Sequence, residues 1–105
     1  MIKVSEIYPY HKGSSFDMVY YSNVHAVLIQ QKLGAALKGV SVEQGISGMD
    51  PGSKPPYAAM GHFLFDSLEV FQSSFGPHAK AIMGDIPNYT DIEPDVLISE
   101  VKISR

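Results

Sequence analysis

Tyr57-Ala58-Ala59-Met60-Gly61-His62-Phe63-Leu64-Phe65 is apolar on both of its alternating sides. Tyr57, Ala59, Phe63 and Phe65 occupy one side, and Ala58, Met60 and Leu64 the other. A strand with that pattern is covered on both faces. It therefore predicts a central strand, and the rest of the fold is read outward from it. Before it lies Gly48-Met49-Asp50-Pro51-Gly52-Ser53-Lys54-Pro55-Pro56, nearly all turn formers, a surface excursion between two strands. Residues 37–46 alternate with period two and predict the strand on its far side.

Toward the N-terminus, Ile2, Val4 and Tyr8 alternate with Lys3 and Ser5 up to Pro9, which predicts a first strand. Ser14 followed by Asp17 is capping-box spacing, so a helix is expected to begin near Phe16 and to end at Gly34. Phe16, Tyr20, Val24, Val27 and Leu28 then form its buried stripe. After the central strand, Asp66 as N-cap with Glu69 predicts a second helix. Its buried face runs through Leu68, Phe71, Phe75, Ala79, Ile82 and Ile86, with a break at Gly76-Pro77. Residues 93–103 predict a last strand.

The order is β-α-β-β-α-β, an α+β, ferredoxin-like arrangement: a four-stranded antiparallel sheet with two helices on one face. At 105 residues the chain is expected to be a single domain, 1–105. Two helices cover one face only, so a homodimer laid sheet to sheet is expected to cover the other.

Composition narrows the chemistry. The chain has no cysteine, which excludes a disulfide scaffold, a thiolate nucleophile and Cys-ligated metal. It carries a net charge of −3 and its single arginine is Arg105, so nucleic acid and anionic membrane surfaces are poor partners. Met60-Gly61-His62-Phe63 also lacks the basic RNA-binding signature that this strand order can carry. No apolar run approaches the ~20 residues that span a bilayer, and the start lacks a signal-peptide stretch, so a cytoplasmic location is expected. Nucleotide loops, G-x-S-x-G and H-E-x-x-H are absent.

What remains is histidine, tyrosine and carboxylate. His25 sits at the flank of the first helix's stripe with Tyr21 one turn before it, a spacing that can orient an imidazole for acid–base work. The alternative is a half-buried helix histidine bonded to backbone. His62, in mid-strand, must be hydrogen-bonded, and by pattern alone it reads as a satisfied core or dimer-interface histidine. His78 can approach Asp85 two turns on, as a second acid–base pair or a solvated flank. These histidines have no local ligand spacing, and no metal is expected. Phe16, Tyr20, Phe71 and Phe75 are core residues or the lining of a pocket for a flat apolar molecule. Tyr8, Tyr57 and Tyr89 stand at element ends, where a phenol reaches water or a ligand.

Taken together, several segments resemble a known family. They are Phe16-Asp17-Met18-Val19-Tyr20-Tyr21-Ser22-Asn23-Val24-His25, then Gly61-His62, then Asp66-Ser67-Leu68-Glu69-Val70-Phe71. Pro77-His78-Ala79 and Asp85-Ile86-Pro87-Asn88-Tyr89-Thr90-Asp91-Ile92-Glu93-Pro94 follow in the same order. The pattern is similar to the EthD family, named for a protein linked to ethyl tert-butyl ether degradation. The resemblance implies a dimeric α/β barrel with a pocket between helices and sheet in each protomer. Related members of that superfamily include cofactorless monooxygenases, decarboxylases and isomerases acting on aromatic or lactone intermediates. It carries the family's helix histidine onto His25, its strand histidine onto His62, and its Asp-Ile-Pro-Asn turn onto Asp85 through Asn88. Many relatives follow the helix histidine with Pro or Met-Pro; here Ala26-Val27-Leu28 stands instead, which alters the pocket rim.

The expected function is that of a cofactor-independent oxidoreductase acting on a hydrophobic catabolic or secondary-metabolite intermediate, aromatic, lactone or ether-derived. His25, oriented by Tyr21 and supported by Asp85, would move a proton; Tyr20, His62, Phe71, Phe75 and His78 would bind the substrate. The second reading is a non-catalytic accessory module that holds a hydrophobic small molecule for a separate oxygenase.

Overall fold

A computed structural model describes residues 1–105. Strand β1 (Ile2–Pro9) leads to helix α1 over residues 18–33, and then to β2 (Gly39–Gln44) and β3 (Tyr57–Phe65). Helix α2 (Leu68–Phe75) and helix α3 (Ala79–Gly84) abut through a 3-10 turn at Gly76–His78, the break expected from Pro77. A second 3-10 turn, Ile86–Asn88, precedes β4 (Asp95–Glu100). The strands form one antiparallel sheet in the order β2-β3-β1-β4. This is the ferredoxin-like order predicted. β2 and β4 are each shorter than predicted, because residues 34–36 are spent on a 3-10 turn and the last ladder pair joins Ile2 to Glu100.

Register decides which side chains meet. Val4 pairs with Phe63 and Ile98, and Glu6 with Gly61 and Val96. Val40 pairs with Phe63, and Val42 with Gly61. Residues directly opposite share a face, so these side chains, with Tyr8 and Ala59, look toward the helices. Lys3, Ser5, Met60, His62, Leu64, Ser41 and Glu43 look the other way. Beneath the helices lie two apolar clusters. One joins Val4, Ile29, Leu33, Phe63, Phe65 and Ile82. The other joins Tyr8, Tyr21, Ala59, Ile86, Tyr89 and Ile92.

The first helix departs from its predicted face. Val24 and Val27 are 45% and 38% exposed, and the fully buried line is Tyr21, His25, Ile29 and Leu33. Two causes shift it by one residue. Phe16, which anchored the predicted phase, lies outside the helix in a bridge to Thr90. In addition, Tyr21–His25 form a π-helical turn between α-helical Met18–Tyr20 and Ala26–Leu33. A wider turn keeps residues four apart more nearly in line than an ordinary helix does. His25 is therefore sealed in the interior and not placed at the flank.

The caps are also off by a residue or more. Asp17, not Ser14, accepts from Tyr20 N, while Ser14 bonds His11 O. Ser67, not Asp66, accepts from Val70 N. Gly34 ends α1 at φ 55, a left-handed conformation that a side chain would disfavour. No helix is long and apolar enough to cross a membrane.

Candidate functional site

The polar centre of the molecule is built by the turn after α3. Pro87 sets the 3-10 turn Ile86–Asn88, which folds Asn88 back so that its Nδ2 donates to Asp85 Oδ1 at 2.9 Å. Tyr20 OH donates to the same oxygen at 2.7 Å, and His25 Nδ1 donates to Asp85 Oδ2 at 2.9 Å. Burial pushes the Asp85 carboxyl up, but the bonds from Asn88, His25 and Tyr20 outweigh it and hold the group below its ordinary value. Burial lowers the His25 imidazole, with Asp85 opposing only in part. At neutral pH His25 is thus neutral with its proton on Nδ1, fixed by an ionised carboxylate. Its Nε2 is a buried acceptor with no hydrogen-bond partner. An unsatisfied buried acceptor costs about 1–3 kcal/mol, which structure alone does not recover.

Aromatic rings wall this imidazole. Tyr21 stacks on it at 5.7 Å between centroids and Tyr89 lies 4.7 Å away. Tyr89 OH and Tyr8 OH bond each other at 2.6 Å. Tyr21 OH reaches across Gly61 toward Glu6, 3.5 Å from Oε1. Gly61 makes that reach possible, since a Cβ there would lie 2.1 Å from the Tyr21 hydroxyl. Glu6 is 7% exposed, and burial pushes its carboxyl up to about 7, against the pull of hydrogen bonds with Tyr8 and Tyr21. Burial raises all three phenols as well, so they remain protonated at any physiological pH.

Beside this cluster lies a cavity of about 220 Å³. Ten of its eleven lining residues are hydrophobic, among them Val4, Ile29, Phe63, Phe71 and Phe75; the exception is Glu6.

The EthD domain model matches residues 14–93. The chain belongs to the EthD family. This EthD chain is 42% identical to an EthD-like protein from Ralstonia eutropha JMP134, with a TM-score of 0.94 over 99% of this chain and 94% of that one. An ethyl tert-butyl ether degradation family protein from Bacillus halodurans C-125 is 22% identical, with a TM-score of 0.71 over 96% and 98% of the two chains. A dimeric protein of ferredoxin-like fold from Bacteroides fragilis NCTC 9343 shares the architecture at 13% identity and a TM-score of 0.52, over 95% of each chain. No curated protein matches.

Of the residues singled out from sequence in this EthD chain, His25, Tyr21 and Asp85 come together, and Tyr20 joins them through Asp85. Phe71 and Phe75 line the cavity. Tyr21 does not orient His25 by a hydrogen bond as expected; its ring stacks flat and its hydroxyl turns to Glu6, leaving orientation to Asp85.

His62 and His78 stand apart. His62 lies on the sheet face away from the helices, bonding Ser5 Oγ through Nδ1 at 2.7 Å with Nε2 3.2 Å from Glu43 Oε1. His78 does not pair with Asp85, whose oxygens are taken by Tyr20, His25 and Asn88. The 3-10 turn at Gly76–His78 breaks the helical phase on which that pairing depended. Tyr8 and Tyr89, expected to reach water or a ligand, are buried against each other. No three of the His, Asp and Glu side chains are grouped to hold a metal ion.

Glu6 escaped the sequence reading. Its signal was present: it stands between Val4 and Tyr8 on the inward side of β1, where a charged residue breaks the pattern.

Proposed function

We propose that this EthD-family protein is a cofactor-independent enzyme that moves a proton on a hydrophobic small molecule, acting as an oxidoreductase where dioxygen takes electrons from the resulting anion. The observation that carries this reading is the apolar cavity whose one polar lining residue, Glu6, joins it to the buried tyrosine and histidine cluster behind. An apolar cavity selects an apolar ligand, and a desolvated carboxyl at its wall, backed by the buried cluster behind it, supplies chemistry that water would quench. His25, one turn before cavity-lining Ile29, neutral through burial and oriented by Asp85, stands behind that wall with Nε2 unpaired, where it is suited to take up a proton passed inward from the cavity. Oxygen uptake with phenolic substrates should fall by about a hundredfold in His25→Ala, the lower end of general-base contributions. Absence of turnover, with the variant binding apolar ligands as the parent does, would defeat the catalytic reading. The near-absence of polar lining favours a carrier of hydrophobic intermediates as the alternative, and that result would select it.

The working unit is a cytoplasmic homodimer in this reading. The sheet face opposite the helices carries Ile7, Met60, Leu64 and Leu97, with Leu97 56% exposed, and a second copy laid against it removes this apolar surface from water. Light scattering should return twice the 11.5 kDa protomer mass. A monomer at micromolar concentration would remove the argument.

A further inference from the structure

We infer that Glu6 is the group that meets the ligand inside the cavity, and that the cavity takes a neutral molecule of about two fused rings bearing one enolisable carbonyl or phenol, from which Glu6 removes the proton. The inference rests on the reading of this site as a proton-transfer centre and adds to it the contacting residue and the substrate class.

Size sets the first limit. A cavity of about 150 Å³ accommodates benzene. The space here, about 220 Å³, suits a somewhat larger flat body, and the stacked rings of Phe71 and Phe75 offer it an apolar wall. Polarity sets the second limit. Glu6 is the only lining residue able to bond a polar atom, so a ligand can satisfy one polar group at the inner wall, and any other must lie at the mouth, where Met83 and Val96 are exposed. Charge sets the third. A ligand anion would face the Glu6 carboxylate with no cation on the wall to balance the pair; the lining contains no Lys, Arg or His.

The groups facing Glu6 leave it free to act. Tyr21 on α1 donates to it at 3.5 Å, and Tyr8 on its own strand faces it while bonding Tyr89; Gly61 and Val96 on the neighbouring strands carry nothing titratable. Tyr89 beyond them and both bonded phenols stay protonated. Glu6 is therefore the cavity's one titrating group near neutrality, with its midpoint at about 7. With a ketone in place, the Glu6 carboxylate takes hydrogen from the carbon beside the carbonyl. The C–H bond breaks, an O–H bond forms on Glu6, and the electron pair forms the enolate C=C as the carbonyl pair moves to oxygen. Return of a solvent-derived proton to carbon completes the exchange without any oxidant.

The test uses the intact protein with naphthol, naphthoate and β-tetralone. Wild type should bind naphthol at least tenfold more tightly than naphthoate at pH 8, and Glu6→Gln should shrink that gap. In D2O, wild type should catalyse hydrogen–deuterium exchange beside the β-tetralone carbonyl, followed by NMR, at a rate that rises with pH through about 7. Glu6→Gln should lose about a hundredfold of that rate while still binding naphthol. Glu6→Asp, which withdraws the carboxyl from the cavity, should lose most of it as well. Exchange unaltered by both variants, or equal affinity for naphthol and naphthoate, would overturn the assignment of Glu6 and leave the site reading intact. Failure of all three compounds to bind wild type would overturn the site reading itself.

Discussion

Glu6→Gln is expected to stabilise the protein at pH 8 while lowering the proposed proton transfer about a hundredfold. The Glu6 carboxyl rises from 4.5 to about 7 on folding, chiefly through burial. For an acid raised in this way the folded state holds its proton more tightly than the unfolded chain. Stability is accordingly highest below pH 4.5, declines as pH rises toward 7, and stays at its lower value above. By linkage the deficit at pH 8 amounts to about 3 kcal/mol. Glutamine fills the same space without a charge and keeps a partner for the Tyr21 hydroxyl. Since each kcal/mol shifts the midpoint of a domain this size by about 4–8 °C, a gain of roughly 12–24 °C at pH 8 is expected, fading toward pH 4.5. Thermal melts of both proteins at the two pH values check this. An equal or lower midpoint for the variant at pH 8 would show that the carboxyl is not held against its ionisation. His25 works in the opposite sense. Its lowered imidazole is neutral when folded, so protonation of the unfolded chain draws stability away as pH falls below 6.5.

Gly61→Ala is expected to cost roughly 3 kcal/mol or more, at the upper end of overpacking effects. The added methyl would meet the Tyr21 hydroxyl at 2.1 Å and Phe63 Cε2 at 3.2 Å. Tyr21 has no room to withdraw, because Tyr8, Phe16 and Tyr89 pack around its ring at centroid distances of 5.1–5.5 Å. Chemical denaturation measures the loss, and the double variant with Tyr21→Phe should recover part of it, since the clashing oxygen is then gone. The two changes would be strongly non-additive. A fully stable Gly61→Ala protein would contradict the close approach of α1 to the sheet on which the Glu6 contact depends.

How much of this was legible in the sequence follows from the range over which each signal acts. The alternation in β1 and β3 and the proline break after Phe75 are local, and the element order followed from them correctly. His25 and Asp85 were recognised separately, but their pairing spans sixty residues and is set by how α1 docks on the turn after α3. The π-helical turn at Tyr21–His25 has no sequence signature. It comes from packing, and it moved the buried face of α1 by a residue. Glu6 was passed over because Ile2, Val4 and Tyr8 define the inward side of β1 without it, and the one break in that alternation went unread. His62 could be placed on a strand, but only pairing with Ser5 revealed which side of the sheet it takes.

The clustering of Tyr8, Tyr21 and Tyr89 has a further consequence for how this protein can be observed. The chain has no tryptophan, and three of its six tyrosines are sealed around Glu6 and His25. Its intrinsic ultraviolet emission therefore comes from tyrosine alone, with half of those fluorophores at the proposed reaction centre. A carboxylate beside an excited phenol quenches it by accepting its proton. The protein thus carries an optical indicator of the Glu6 charge, readable without a label.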